Sequence, residues 1–97
     1  MPTYIVLASF TDKGAHDVKD TVGRSDKFKD MAKKAGVTVK DMYWTLGSTD
    51  VVAICDAPDD ASATVLSMSV SSRGYVRTQT LRAFTAAEMG KILERLN

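Results

Sequence analysis

The chain has 97 residues, of which 44% are hydrophobic and 26% are charged, and its 13 Lys and Arg against 12 Asp and Glu give a formal net charge of +1. This balance creates no global field that would recruit an anionic membrane or nucleic acid, so we expect no membrane association and rank nucleic-acid binding last among the function classes. One hydrophobic core is enough for this length, and the sequence predicts a single domain over residues 1–97.

Cysteine usage and the N-terminal sequence indicate the compartment. Cys55 is the only cysteine, which excludes an internal disulfide and a cysteine-cluster metal site. The opening sequence MPTYIVLASF has no basic segment, and its apolar run is too short for a signal peptide or a membrane span. We therefore expect a cytoplasmic protein. The sequence also has no P-loop, dinucleotide-binding or serine-hydrolase motif, so it predicts no cofactor and no recognisable catalytic centre.

The first third of the chain predicts one strand followed by helix. Thr3 to Phe10 has apolar residues on both faces of a predicted strand, since Tyr4, Val6, Ala8 and Phe10 alternate with Ile5 and Leu7. This pattern is typical of a strand buried on both faces. Lys13 to Asp20 predicts a short helical piece that Gly14 weakens. From about Arg24 to Gly36 the apolar residues recur at helical spacing, so this segment predicts a helix with one buried stripe.

The middle of the chain predicts a β-hairpin. Its strands are Val37 to Leu46 and Val51 to Cys55, and the residues between them are turn formers. With Ser48 and Thr49 at the tip, Trp44 would face Ala53. The second strand is apolar at every position, which indicates that it lies inside the sheet.

The last third predicts a helix, a strand and a second helix. Pro58, followed by two acids, favours a helix start, and that helix runs to about Ser72. Tyr75 to Ala83 alternates polar and apolar residues, which is typical of an edge strand. Thr85 and Glu88 have the spacing of a capping box and predict where the C-terminal helix begins.

The order of these elements is β-α-β-β-α-β with an extra C-terminal helix. A ferredoxin-like α+β fold, with an antiparallel sheet of strand order 4-1-3-2, places the two fully apolar strands in the centre. Two helices cover only one face of such a sheet, whereas the central strands are apolar on both. A second copy of the sheet, or the C-terminal helix, must cover the other face. We therefore expect a homo-oligomer, most simply a dimer arranged as an α+β barrel.

The hairpin and the last strand also carry a family resemblance. The residues concerned are Asp41, Tyr43, Trp44, Thr45, Gly47 and Asp50 (D-x-Y-W-T-x-G-x-x-D), Ala57 to Asp60, and Val76 to Phe84. Here the chain resembles the GYD-domain family of small bacterial proteins. The resemblance implies an oligomeric, ferredoxin-like α+β domain and implies little about activity. Thr49 occupies the tyrosine position of the Gly-x-Tyr-Asp motif, so the role of that aromatic ring is lost or moved.

Polar residues of the hairpin are candidates for ligand binding. Tyr43, Thr45 and Asp50 share one strand face in the predicted register, and Trp44 lies between two of them. Arg77 of the last strand would approach them if the sheet closed over a pocket. A phenol, a carboxylate and a guanidinium around a cavity would bind a polar ligand or move a proton. The structural alternative is that Asp50 bonds to turn backbone, Tyr43 packs at an edge or interface, and Arg77 pairs with an acid.

His16 is the one histidine, and Asp12 and Asp20 lie four residues to either side of it. A continuous helix would align the three side chains on one face, where they would form a weak candidate site for a divalent ion. Gly14 and the neighbouring lysines favour a solvated helix face instead. We therefore predict no metal, and keep His16 as a candidate ligand-binding residue.

Three functions remain open at this point. The favoured one is a homo-oligomeric small-ligand-binding or regulatory protein. The alternative is a small cofactor-independent α+β barrel enzyme, of the oxygenase or isomerase kind, with Tyr43, Asp50, Arg77 and His16 around a cavity between helices and sheet. The third is a weak nucleic-acid binder that uses the basic last strand.

Overall fold

The computed structural model describes residues 1–96, which form four strands and four α-helices. In chain order the elements are β1 (Thr3–Phe10), α1 (Asp12–His16), α2 (Thr21–Lys34), β2 (Thr38–Trp44), β3 (Val51–Asp56), α3 (Asp60–Ser71), β4 (Val76–Ala83) and α4 (Ala86–Leu93). The strands form one antiparallel sheet in the order β2-β3-β1-β4. This confirms the predicted α+β class and the predicted strand order. No helix among these residues has the length and apolar character needed to cross a bilayer.

The core lies between one face of the sheet and the helices α2 and α3. Alternate residues of β1 and β3 point into it, and α2 contributes Phe28 and Ala32 from the apolar stripe that its spacing predicts. The buried residues of the cluster are Tyr4, Val6, Phe28, Ala32, Val37, Ala53, Cys55, Ala57, Ala63 and Leu66. β1 and β3 are central because their intervening residues are apolar as well.

The segment between β1 and α2 differs from the prediction. α1 ends at His16, a 3₁₀ turn follows, and α2 begins at Thr21, earlier than the expected Arg24. The Thr11 side chain accepts a hydrogen bond from the Gly14 N–H (3.2 Å), and its hydroxyl donates to the carbonyl of Gly74 (2.6 Å). α1 is therefore held against the chain that enters β4, and its direction is set by that contact.

The hairpin keeps the predicted faces but not the predicted register. Trp44 pairs with Val51, two positions away from the expected partner, and a longer loop with Gly47 at a φ of 105° replaces the two-residue tip. The Thr45 N–H donates to the carbonyl of Asp50 (2.8 Å) and closes this loop. A shift of two residues leaves each side chain on its original face. β2 also has a bulge at Lys40.

Two helices carry N-caps that the sequence indicates. The Asp59 carboxylate accepts a hydrogen bond from the Ser62 N–H (2.8 Å) at the start of α3, and this bond lowers the pKa of Asp59. At α4, the Glu88 N–H donates to the Thr85 hydroxyl (3.1 Å) and the Thr85 N–H donates to the Glu88 carboxylate (2.9 Å). The bond from the Thr85 backbone is the main reason that the pKa of Glu88 is lowered. The predicted capping box is confirmed.

Candidate functional site

One face of the sheet is apolar and has no helix over it. We call it the open sheet face, and its apolar side chains are Ile5, Leu7, Tyr43, Val52, Ile54 and Leu81. The four from the central strands are half-buried by their neighbours, whereas Tyr43 is 56% exposed. α2 and α3 both pack on the opposite face. Within residues 1–96 the sheet therefore has only one covering layer.

The structure places Tyr43 and Arg77 on this face but at opposite edges. Tyr43 belongs to β2 and pairs with Val52, whereas Arg77 belongs to β4 and pairs with Ser9. β3 and β1 lie between them. Three strand spacings amount to about 14 Å, so the phenol and the guanidinium do not meet within one chain.

Asp50 and Thr45 hold the hairpin loop in place. The Asp50 carboxylate accepts a hydrogen bond from the Phe10 N–H (2.8 Å), and the Asp50 N–H donates to the carbonyl of Ala8 (2.9 Å). The Thr45 hydroxyl donates to the carbonyl of Thr49. The two bonds of Asp50 fasten the loop to the end of β1, and the Thr45 bond closes the loop itself. The polar candidates of the hairpin thus serve the backbone of this chain rather than converge on one cavity.

His16 lies apart from both groups. Its Nδ1 is 2.9 Å from the nearer carboxylate oxygen of Asp17, and its side chain is 88% exposed. Since α1 ends at His16, the continuous helix that would align it with Asp12 and Asp20 does not form. In the part of the chain that the structure describes, no three His, Cys, Asp or Glu side chains are grouped for a metal ion.

Cys55 is placed as a core residue and not as a nucleophile. It is 1% exposed and belongs to the buried cluster. Burial, with a smaller effect from the neighbouring Asp56 carboxylate, raises the pKa of its thiol to about 11. The reactive thiolate is therefore scarce at neutral pH.

α4 projects from the body of the protein. It has no buried residue, and the molecule measures 51 × 30 × 18 Å. The radius of gyration of the molecule is 14.5 Å, whereas a compact chain of this length has about 12.5 Å. The apolar side chains Met89, Ile92, Leu93 and Leu96 are between 39% and 70% exposed. An eight-residue helix is marginal without packing, so α4 needs a surface to lie on.

Arg82 fixes the N-terminal end of α4. The Arg82 guanidinium lies 3.6 Å from the Glu88 carboxylate and 4.5 Å from the centre of the Phe84 ring. It also lies 5.7 Å from the Tyr4 ring. The Tyr4 hydroxyl donates to the Asp60 carboxylate, and this hydrogen bond is the main reason that the pKa of Tyr4 is raised. α4 is therefore anchored at its first turn and exposed along its length.

A groove of about 160 Å³ opens on the helix-covered side of the sheet. The side chains that line it come from β1 to β4, α2, α3 and the segment before β4, and they include Val6, Ala8, Phe10, Phe28, Met31, Met42, Val51, Ala53 and Val70. Trp44 forms part of the wall, and its Nε1 donates to the Thr21 hydroxyl (3.0 Å). Of the six side chains that the sequence proposed as ligand-binding residues, Trp44 is the one that lines this groove.

The charged side chains that line the groove are all basic. They are Arg24, Lys27 and Arg73, and within residues 1–96 no Asp or Glu lines it. Sequence reasoning did not single out this group. The available signal was the spacing of Arg24 and Lys27, which places both beside the apolar stripe of α2.

Comparison with known proteins gives consistent results. The family model for the GYD domain matches residues 4–93. A Thermus thermophilus protein named "Glutamine synthetase and cystathionine beta-lyase binding protein" is 36% identical over 90 residues, which are 92% of this chain and 95% of the relative. A crystal structure, that of TTHA0845 from Thermus thermophilus, superposes with a TM-score of 0.56 at 25% identity, over 89% of this chain and 96% of that one. The match over nearly the whole length, together with the shared fold, shows that this chain belongs to the GYD domain family.

Proposed function

We propose that the protein is a homo-oligomeric regulatory protein that works by binding other proteins. The open sheet face is the observation that carries the proposal. Large contiguous apolar patches on soluble proteins mark interaction sites. A second copy of the same sheet supplies a matching apolar surface, so a symmetric dimer is the simplest arrangement that gives the sheet its missing layer.

Self-association is tested by placing a charge at the centre of the open sheet face. We expect Leu7→Lys to raise the dimer dissociation constant by about 100-fold or more, because an ammonium group buried there would lose its hydration without a partner. In the monomer the same ammonium group stays in water. Sedimentation velocity over a range of protein concentrations measures the effect.

The matched control introduces the same residue on the other side of the molecule. Met68 is 67% exposed on α3, so Met68→Lys is expected to associate as the original protein does. If the unmodified protein still sediments as a monomer at high concentration, the dimer is rejected. Equal association of the two variants would reject the open sheet face as the interface.

The second part of the proposal is that α4 binds a partner enzyme. Its exposed apolar stripe, on a helix with a firm N-terminal cap, suits docking into an apolar groove of another protein. The relative from Thermus thermophilus is named for binding glutamine synthetase and cystathionine beta-lyase. We take enzymes of these two kinds as the partners to test first.

Partner binding is tested with immobilised glutamine synthetase and cystathionine beta-lyase from the source organism. We expect Leu93→Gln to weaken binding to a partner by about tenfold, because an apolar anchor is lost from the contact. Glu94→Gln introduces the same side chain next to it and is expected to bind normally. If the unmodified protein binds neither enzyme, or if Leu93→Gln binds as tightly as the unmodified protein, α4 is not the docking element for these enzymes.

A further inference from the structure

We propose that the groove beside Trp44 binds a small monocarboxylate whose apolar body is about the size of one aromatic ring. The groove lies on the helix-covered face of the sheet, away from the open sheet face and from α4. The inference therefore goes beyond the proposed self-association and partner docking. It assigns the protein a small-molecule ligand of defined chemistry.

The size and lining of the groove define the apolar part of the ligand. A cavity of about 150 Å³ lined by aliphatic and aromatic side chains accommodates benzene. The groove has a volume of about 160 Å³, and Phe28, Met42 and Val70 are among its predominantly apolar lining residues. A long acyl chain or a nucleotide exceeds this volume. One ring or a short branched alkyl group fits it.

The basic side chains define the polar part of the ligand. Among the described residues, the ion pairs involve His16, Lys40 and Arg82, so Arg24, Lys27 and Arg73 are not neutralised by a carboxylate. Uncompensated cations beside an apolar surface favour an anionic ligand.

Arg24 and Arg73 differ in what their guanidinium groups already contact. Arg24 donates to the carbonyls of Asp17 (2.7 Å) and Gly14 (3.4 Å), and it stacks 4.6 Å from the centre of the Tyr75 ring. These contacts hold Arg24 in position and leave its positive charge uncancelled. The Arg73 guanidinium donates to no acceptor within residues 1–96, so it has its donors available for a bidentate bond to a carboxylate.

Trp44 provides a direct readout of binding. It is the only tryptophan in the chain, and it lines the groove. We therefore expect 3-phenylpropionate to change the tryptophan fluorescence in a saturable way, with a dissociation constant of roughly 0.1–1 mM. Its uncharged amide, 3-phenylpropanamide, has the ring without the carboxylate, and acetate has the carboxylate without the ring. Each is expected to bind about tenfold more weakly.

Two pairs of variants assign the effect to the groove. Arg73→Gln should weaken binding of 3-phenylpropionate by about tenfold, whereas Arg77→Gln, on the open sheet face, should not change it. Val70→Phe should block binding because the new ring fills the groove. Val65→Phe places the same ring on the exposed side of α3, where Val65 is 55% exposed, and should leave binding intact.

Several results would overturn the inference. These are an absence of saturable fluorescence change, equal binding of the acid and its amide, or normal binding by Arg73→Gln or Val70→Phe. Loss of binding as the protein concentration rises would show that a second copy occupies the groove, and would overturn it too. Because the Leu7→Lys variant keeps the groove, it should bind 3-phenylpropionate normally, which separates this test from that of self-association.

Discussion

Gly14→Ala is expected to destabilise the protein by about 3 kcal/mol or more, or to prevent it from folding. A Cβ atom at this position would lie 2.0 Å from the carbonyl oxygen of Tyr75 and 3.0 Å from its carbonyl carbon. Neither is the movable end of a side chain. The same oxygen accepts a hydrogen bond from the Thr11 N–H (3.0 Å), so relief of the clash requires α1 and the start of β4 to separate.

Gly23→Ala is the matched control for this substitution. Gly23 lies in α2, and a Cβ added there has no neighbour within 4 Å. Alanine is the better helix former, so this variant is expected to gain about 0.5–1 kcal/mol. Urea unfolding followed by circular dichroism compares the two. A Gly14→Ala protein whose free energy of unfolding is unchanged would contradict the close contact between α1 and the Tyr75 carbonyl.

Leu66→Ala is also expected to have a large effect, and to lower the free energy of unfolding by about 2–5 kcal/mol. Leu66 is 2% exposed and belongs to the core cluster that α3 shares with the sheet. Its removal leaves a cavity that the surrounding strands cannot fill by small movements. Chemical denaturation at one fixed protein concentration measures the loss, since dimer formation would make the midpoint depend on concentration.

Met68→Ala provides the comparison on the same helix. Met68 is 67% exposed, so truncating it removes little buried surface, and we expect a change within about 0.5 kcal/mol. Similar losses for the two variants would mean that α3 is oriented differently from the structure described above.

The fold was accessible from the sequence because burial leaves a periodic trace in each element. β1 was predicted with the bounds that the structure has, and the fully apolar Val51 to Cys55 was correctly placed inside the sheet. The capping box of Thr85 and Glu88 marked the start of α4 correctly. These signals are local, since each depends on residues a few positions apart.

The errors arose where a contact joins distant parts of the chain. The register of the hairpin depends on the bonds between Asp50 and the end of β1, about forty residues away in sequence. The position of α1 against the start of β4 depends on the close approach of Gly14 to Tyr75. Neither contact leaves a periodic pattern, so propensity and spacing had no means of indicating it.

The candidate site was less accessible than the fold. The hypothesis that Arg77 would approach Tyr43 conflicted with the predicted strand order, which already separated their strands by the width of the sheet. The groove depends on the side-by-side packing of α2, α3 and the strands, and its basic side chains Arg24 and Arg73 come from segments that nothing in the sequence links. Such convergence is a property of tertiary structure alone.

The bulge at Lys40 has a consequence for the solubility of the protein. An unpaired outer strand offers its N–H and C=O groups to any extended chain and can seed aggregation. The bulge interrupts the regular spacing of these groups on β2, and it places a lysine, 3.9 Å from Asp56, in the irregular stretch. β2 is thus a poor template for continuous strand addition. The irregularity disfavours fibre-like growth through this edge and leaves the broad face of the sheet available for a closed assembly.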